Sequence, residues 1–247
     1  MKTRGWIIGA AGVLALVGGV ASVAQPVGAR SSVRDAPVEP VVVELFTAQG
    51  CSGCPEANRR IEAMADEPGV IALTYAVDYW DYLGWEDTFA RPEFEARQRA
   101  YQAALRLRNV YTPQVVIDGR RQMSGAEGEA IEAAVEAEAQ ARVFPPEVEF
   151  RESGDAVGIG SGRAPAGGAE VWAVTFTPGP QTVTVQNGDN RGQQVRHVNV
   201  VRRLTRLGEW RGHPILLELP AVSHAGERTA VLVQASEDHR ILAAAVN

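Results

Sequence analysis

The rhythm of apolar and polar positions changes twice along the chain. Residues 5–24 form an uncharged run rich in Gly and Ala behind Lys2 and Arg4. A basic start, an apolar stretch and small-residue sites at Ser22-Val23-Ala24 and Val27-Gly28-Ala29 predict a signal peptide over residues 1–24. Its length is also close to the roughly 20 residues of a spanning helix, so a retained anchor is the competing reading. Either reading puts the rest of the chain outside the cytoplasm, in the periplasm or secreted. Residues 25–40, with three prolines and scattered charges, read as a disordered leader.

From residue 41, short apolar runs alternate with helical stripes. Residues 41–46, "VVVELF", make a β-branched run of strand length. Over residues 55–65, Ala57, Ile61, Met64 and Ala65 share one helical face while Arg59, Arg60 and Glu62 lie elsewhere, and Pro68-Gly69 stops the segment. A strand over 70–77, a helix over 92–108 carrying Phe94, Tyr101 and Leu105 on one side, and a strand over 114–117 follow. Asp118-Gly119 is a hairpin signal that returns residues 121–124 antiparallel. A helix over 127–142 turns Ile131, Ala134 and Val135 inward, and Pro145-Pro146 marks a boundary.

Beyond that boundary the pattern becomes short alternating strands at 147–151, 157–160, 170–177, 182–186, 195–207, 215–219, 229–234 and 241–246. Such spacing predicts a β-sandwich or open barrel. The expected organisation is thus an α/β domain over residues 41–144 followed by an all-β, sandwich-like domain over 145–247.

With 45% hydrophobic and 22% charged residues the chain can bury a full core without disulfides, so its two cysteines, Cys51 and Cys54, need another reason. The net charge of -6 argues against nucleic acid as a partner. Cys51 lies at the start of the predicted helix, where unpaired N–H groups and the helix dipole favour a thiolate. That makes it the expected accessible, acidic thiol. Cys54, one turn further in and expected to be buried, can close a disulfide with it or resolve a mixed disulfide.

A zinc site needs about four ligands, and His197, His213, His224 and His239 all lie far down the chain. A c-type haem site needs His after the second cysteine, where Pro55 stands. A structural disulfide across so short a loop restrains little unfolded-state entropy. The redox reading is favoured, with no metal and no cofactor assigned.

The strand, the Cys-x-x-Cys at a helix start and Thr112-Pro113 before a hairpin, in this order, together resemble the thioredoxin-like fold. "ELFTAQGCSGCP", "VDYWDYLGW", "RQ" at Arg97-Gln98, "VYTPQVVIDG", "NVV" at 199–201 and "VLVQ" at 231–234 are similar to a secreted, thioredoxin-like family of bacterial proteins catalogued as a domain of unknown function. Ala76 stands where that pattern usually has His.

The resemblance implies a cis Pro113 lying against the redox pair, with Thr112 beside it, and a partner strand received there. It also implies that Glu44, in the first strand, exchanges a proton with Cys54; a partly exposed strand glutamate paired to an arginine is the alternative. Tyr79 and Trp80, between Asp78 and Asp81, are candidate substrate-binding positions. The expected function is exchange with protein thiols or disulfides of the cell envelope, with a membrane redox protein as a further candidate partner. The rival is a non-catalytic binding module, its cysteines residual or holding copper(I).

Overall fold

The computed structural model describes residues 39–141 and 145–247. The expected signal peptide and almost all of the leader fall outside the described residues. β1 (Val41–Thr47) is buried at every position, as a strand covered on both faces must be. It pairs in parallel with β2 (Val70–Ala76) from Val41↔Val70 to Thr47↔Ala76, and antiparallel with β3 (Gln114–Ile117). Asp118 and Gly119, both at positive φ, turn β3 into β4 (Arg121–Ser124). The α-helices among the described residues are α1 (Cys54–Met64), α2 (Pro92–Ala104) and α3 (Gly128–Ala141). α2 stops short of the expected residue 108, where Arg106 takes a left-handed φ of 55°.

The second half departs from expectation. β5 (Val148–Phe150), β6 (Ala156–Ile159) and β9 (Ile215–Glu218) form a small sheet of their own, in the order β5-β6-β9. β7 (Ala169–Thr184), β8 (Gln194–Trp210), β10 (Arg228–Ala235) and β11 (Ile241–Val246) instead join the first-half strands. The result is one eight-stranded mixed sheet in the order β11-β10-β7-β8-β2-β1-β3-β4. An α/β thioredoxin-like domain followed by a separate all-β, sandwich-like domain is therefore incorrect: one mixed sheet, with three helices against it, spans both halves.

The joint is the parallel pairing of β2 with β8 at Thr74↔Val200. Residues 170–177 and 182–186, expected as two strands, are continuous because Pro178-Gly179-Pro180 is absorbed as a bulge against β8. Gly179, at φ 72°, donates its N–H to Asn199 Oδ1 at 2.9 Å. Asn199, itself at φ 47°, donates Nδ2 to the Ala72 carbonyl of β2 at 3.0 Å. One amide side chain thus fastens the bulge to the neighbouring half of the sheet.

Packing repeats the same lesson. One face of the sheet carries Val42, Phe46 and Tyr75 from the first half and Val174, Leu232 and Ala244 from the second, packed with Phe94 and Tyr101 of α2. Val43 and Leu45, on the opposite face of β1, meet Ile61 of α1 and Ile131 of α3. Val171, Val231 and Ala243 pack with Val157, Ile159 and Trp210 near the small sheet. Each fully buried large side chain stabilises by about 1.5–3 kcal/mol, and the first cluster draws on both halves at once. Among the described residues no helix is long and apolar enough to cross a membrane.

Candidate functional site

β1 ends in the turn that carries both cysteines into α1. Cys51 and Cys54 form a disulfide with 5.4 Å between their Cα atoms, and Cys54 is the first helical residue. The Cys54 N–H donates to the Cys51 carbonyl at 3.1 Å. The Thr112–Pro113 peptide bond is cis, and Pro113 lies beside the pair: a Cβ added to Gly53 would come 3.5 Å from Pro113 Cδ. Gly125, which donates its N–H to the Pro113 carbonyl, has no room for a side chain, since a Cβ there would fall 2.5 Å from Ala57 Cβ of α1. Trp80 Nε1 donates to Thr112 Oγ1 at 2.7 Å, and Trp80 Cβ lies near Gly50. Trp80, Thr112 and Pro113 therefore border the cysteine turn together. Burial raises the Tyr79 hydroxyl pKa, against the lowering influence of Gln98 and Thr112.

The turn is held from beneath by a polar network. Asp87 Oδ2 accepts the Gln49 N–H at 2.6 Å, and Gln49 Oε1 accepts Trp85 Nε1 at 2.8 Å. Asp81 Oδ1 accepts the Asp87 N–H at 3.1 Å. Burial pushes the Asp87 carboxyl up to about 6, against the opposing effect of its N–H donors. Thr47 Oγ1 donates to Asn58 Oδ1, and Asn58 Nδ2 donates to the Arg196 carbonyl, which ties α1 to β8.

The largest departure at the site is its cover. Cys51, expected to be accessible, is only 2% exposed, and Cys54 is fully buried. The loop joining β7 to β8 supplies Asn190, itself 1% exposed. Its Nδ2 donates both to the Gln49 carbonyl at 2.9 Å and to the Cys51 carbonyl at 2.8 Å. Gly188 of the same loop sits against Gly50, where a Cβ would come 3.5 Å from the Gly50 Cα. The second half of the chain thus clasps the disulfide turn. Nothing in the local sequence around Asn190 signals this, because the contact joins residues nearly 140 positions apart.

Glu44 is fully buried and committed elsewhere. Arg97 Nε donates to Glu44 Oε1 at 2.7 Å, Arg97 Nη2 donates to Oε2 at 3.0 Å, and the Tyr101 hydroxyl also donates to Oε2. Arg97 Nη1 reaches Gln234 Oε1 of β10 at 3.1 Å, and Gln234 Nε2 donates to the Tyr101 hydroxyl. The arginine pairing named in the alternative for Glu44 is present, but the carboxylate is fully buried rather than partly exposed; Cys54 is not among its hydrogen-bond partners. His197 is fully buried with both ring nitrogens unpartnered. Burial first, and then Arg202, lower its pKa to about 4. Among the described residues, no group of three or more His, Cys, Asp and Glu side chains is arranged to hold a metal.

Over residues 42–234 the sequence matches the family described as "Protein of unknown function (DUF1223)". An X-ray crystal structure of an Agrobacterium tumefaciens protein is 35% identical, with a TM-score of 0.70, over 83% of this chain and 92% of that one. HBP35 of Porphyromonas gingivalis shares the fold at 17% identity and a TM-score of 0.59, over 86% of this chain and 76% of its own. No curated protein matches the chain.

Proposed function

For a chain that belongs to the DUF1223 family, we propose thiol-disulfide exchange with protein partners outside the cytoplasm, carried by Cys51 and Cys54. The observation that carries the reading is the placement of the disulfide in the turn entering α1, bordered by Pro113, Thr112 and Trp80. In the oxidised form a partner thiolate attacks the Cys51 sulfur, the Cys51–Cys54 bond breaks, and Cys54 leaves as a thiolate stabilised by the first-turn N–H groups of α1. In the reduced form the Cys51 thiolate attacks a partner disulfide and expels one partner thiolate. Cys54 then displaces the second, leaving the partner reduced and the pair oxidised.

Proline has no N–H to compete for backbone acceptors, so Pro113 and Thr112 form the edge along which a partner strand would lie. The disulfide itself supports a location outside the cytoplasm, where such bonds persist. Exchange requires the loop carrying Asn190 to lift, because Cys51 is otherwise covered.

That cover favours a second reading, the non-catalytic binding module, in which the oxidised pair is a shielded clip and the reduced pair takes copper(I). Insulin reduction in the presence of a small dithiol separates the two. The wild-type protein should turn over, Cys51→Ser should not, and Asn190→Ala should react roughly tenfold faster or more, since two hydrogen bonds of about 1 kcal/mol each hold the cover. Equal rates for wild type and Cys51→Ser would remove the exchange reading. Stoichiometric copper(I) uptake by the reduced chain would then support the module.

A further inference from the structure

We propose that the cleft between the N-terminus of α2 and residues 223–227 binds a small organic anion carrying phosphate or carboxylate groups. The cleft has a volume of about 910 Å³, within the range of small-molecule sites, and lies apart from the cysteine turn in its lining. It is walled by three arginines, Arg91 at the start of α2 and Arg202 and Arg203 on β8.

Arg202 is built in place. Its Nε donates to Thr177 Oγ1 at 2.8 Å, and its guanidinium lies 4.6 Å over the ring of Phe89. That ring is met edge-on by the buried His197 at 5.4 Å. The plane of the guanidinium is thereby fixed from two sides, while its terminal nitrogens have no hydrogen-bond partner among the described residues. A fixed fork of donors of this kind matches the paired oxygens of a carboxylate or phosphate. Arg203 donates Nη2 to the Ala221 carbonyl at 2.7 Å and Nη1 to Ser223 Oγ at 3.3 Å, which positions the opposite wall. Its buried Nε has no partner.

None of the three makes an ion pair among the described residues. Elsewhere on β8 and its neighbours Arg196, Arg206 and Arg211 are each paired to a glutamate. A second, independent sign is Thr175, which lines the cleft at 1% exposure with its hydroxyl unpartnered. An oxygen ligand would satisfy it.

Two carboxylates also line the space. Glu227 turns Oε2 to the N–H groups of Ser223 and His224 at 3.0 and 3.2 Å, and Glu93 is exposed in the first turn of α2. Three guanidiniums against two carboxylates leave one positive charge in excess, and the start of α2, without a side-chain cap, adds the positive end of its dipole. Burial lowers the Arg202 pKa, Glu227 raises it and Arg91 lowers it again; the negative charge of an anion in the cleft would act in the same direction as Glu227.

The test is calorimetric titration of the oxidised protein with pyrophosphate and with citrate at low ionic strength, each checked by the melting temperature. One saturable site is expected for at least one of the two, and which one binds decides between phosphate and carboxylate. Arg202→Gln should weaken it at least about tenfold, the consequence of losing one charge-assisted hydrogen-bonding partner. Arg211→Gln, an equal change in net charge outside the cleft, should leave it unaltered. Absence of saturation with both anions, or equal affinity in wild type and Arg202→Gln, overturns the proposal. Should Arg202→Gln fail to fold, the exposed Arg91→Gln carries the test, and unchanged affinity in that folded variant overturns it equally.

Discussion

Replacing Arg97 with Met tests whether the two halves share one core. The substitution keeps a long apolar stem but leaves the carboxylate of Glu44, which is fully buried, without its bidentate partner and Gln234 without the Arg97 Nη1 donor. Removing one member of a buried ion pair costs about 3–5 kcal/mol. Total stabilities of 5–15 kcal/mol make that at least a fifth of the whole, and in a chain of this size it corresponds to a fall in Tm of about 6–20 °C. Because α2 carries Arg97 while its partners sit on β1 and β10, the loss should be felt on both sides of the molecule.

Urea unfolding followed by tryptophan fluorescence and by far-UV circular dichroism would show it. Trp80 and Trp85 report on the first half and Trp172 and Trp210 on the second. One transition is expected, coincident by both probes and shifted as a unit. The double substitution Glu44→Leu with Arg97→Met should recover much of the loss, since an apolar pair leaves no buried charge. Two separate transitions, only one of them displaced by Arg97→Met, or a loss below about 1 kcal/mol, would refute the reasoning.

Two further outcomes follow from single residues. His197 has a folded pKa of about 4 against 6.5 unfolded, so between these values the unfolded chain binds the extra proton and stability falls as pH drops through that window, by about 3 kcal/mol in full. Asp87, pushed up to about 6, contributes the opposite slope from 3.8 upward, so the comparison is between wild type and His197→Leu, whose stability-pH curve should lack the His197 component; identical slopes would count against it. Gly119→Ala places a Cβ 2.0 Å from the His239 carbonyl oxygen at a φ of 66°, whereas Gly154→Ala, at φ 72°, meets nothing within 4 Å. The first should destabilise by more than the roughly 1–2 kcal/mol that left-handed backbone alone costs, the second by no more than that; equal denaturation midpoints would contradict the packing at Gly119.

Local pattern made the first half legible. An unalternating apolar run such as "VVVELF" reads as a buried strand, and Asp118-Gly119 reads as a turn, because both follow from properties of a few adjacent residues. What stayed hidden lies in contacts that no short window contains. Pro178-Gly179-Pro180 carries every sign of a break between strands, yet Asn199 supplies the acceptor that lets the chain pass through it as a bulge. Arg97, Asn199 and Gln234 belonged to motifs noted only for their resemblance, and they prove to be among the residues that bind one half of the chain to the other. At the candidate site the cysteines, Pro113, Thr112 and Trp80 come together, while Glu44 turns out to serve the core and Asn190 was invisible.

The sheet order also sets a schedule for biosynthesis. As the chain leaves the ribosome, β1 to β4 and all three helices are made long before β8, so the outer edge of β2 emerges as an unpaired row of backbone donors and acceptors. The nascent chain must carry that adhesive border, and an uncovered Cys51, until the loop carrying Asn190 and then β8 have been synthesised. Premature termination anywhere before β8 therefore yields a product that has both an open sheet edge and an unguarded pair of sulfurs, a natural substrate for chaperones and proteases.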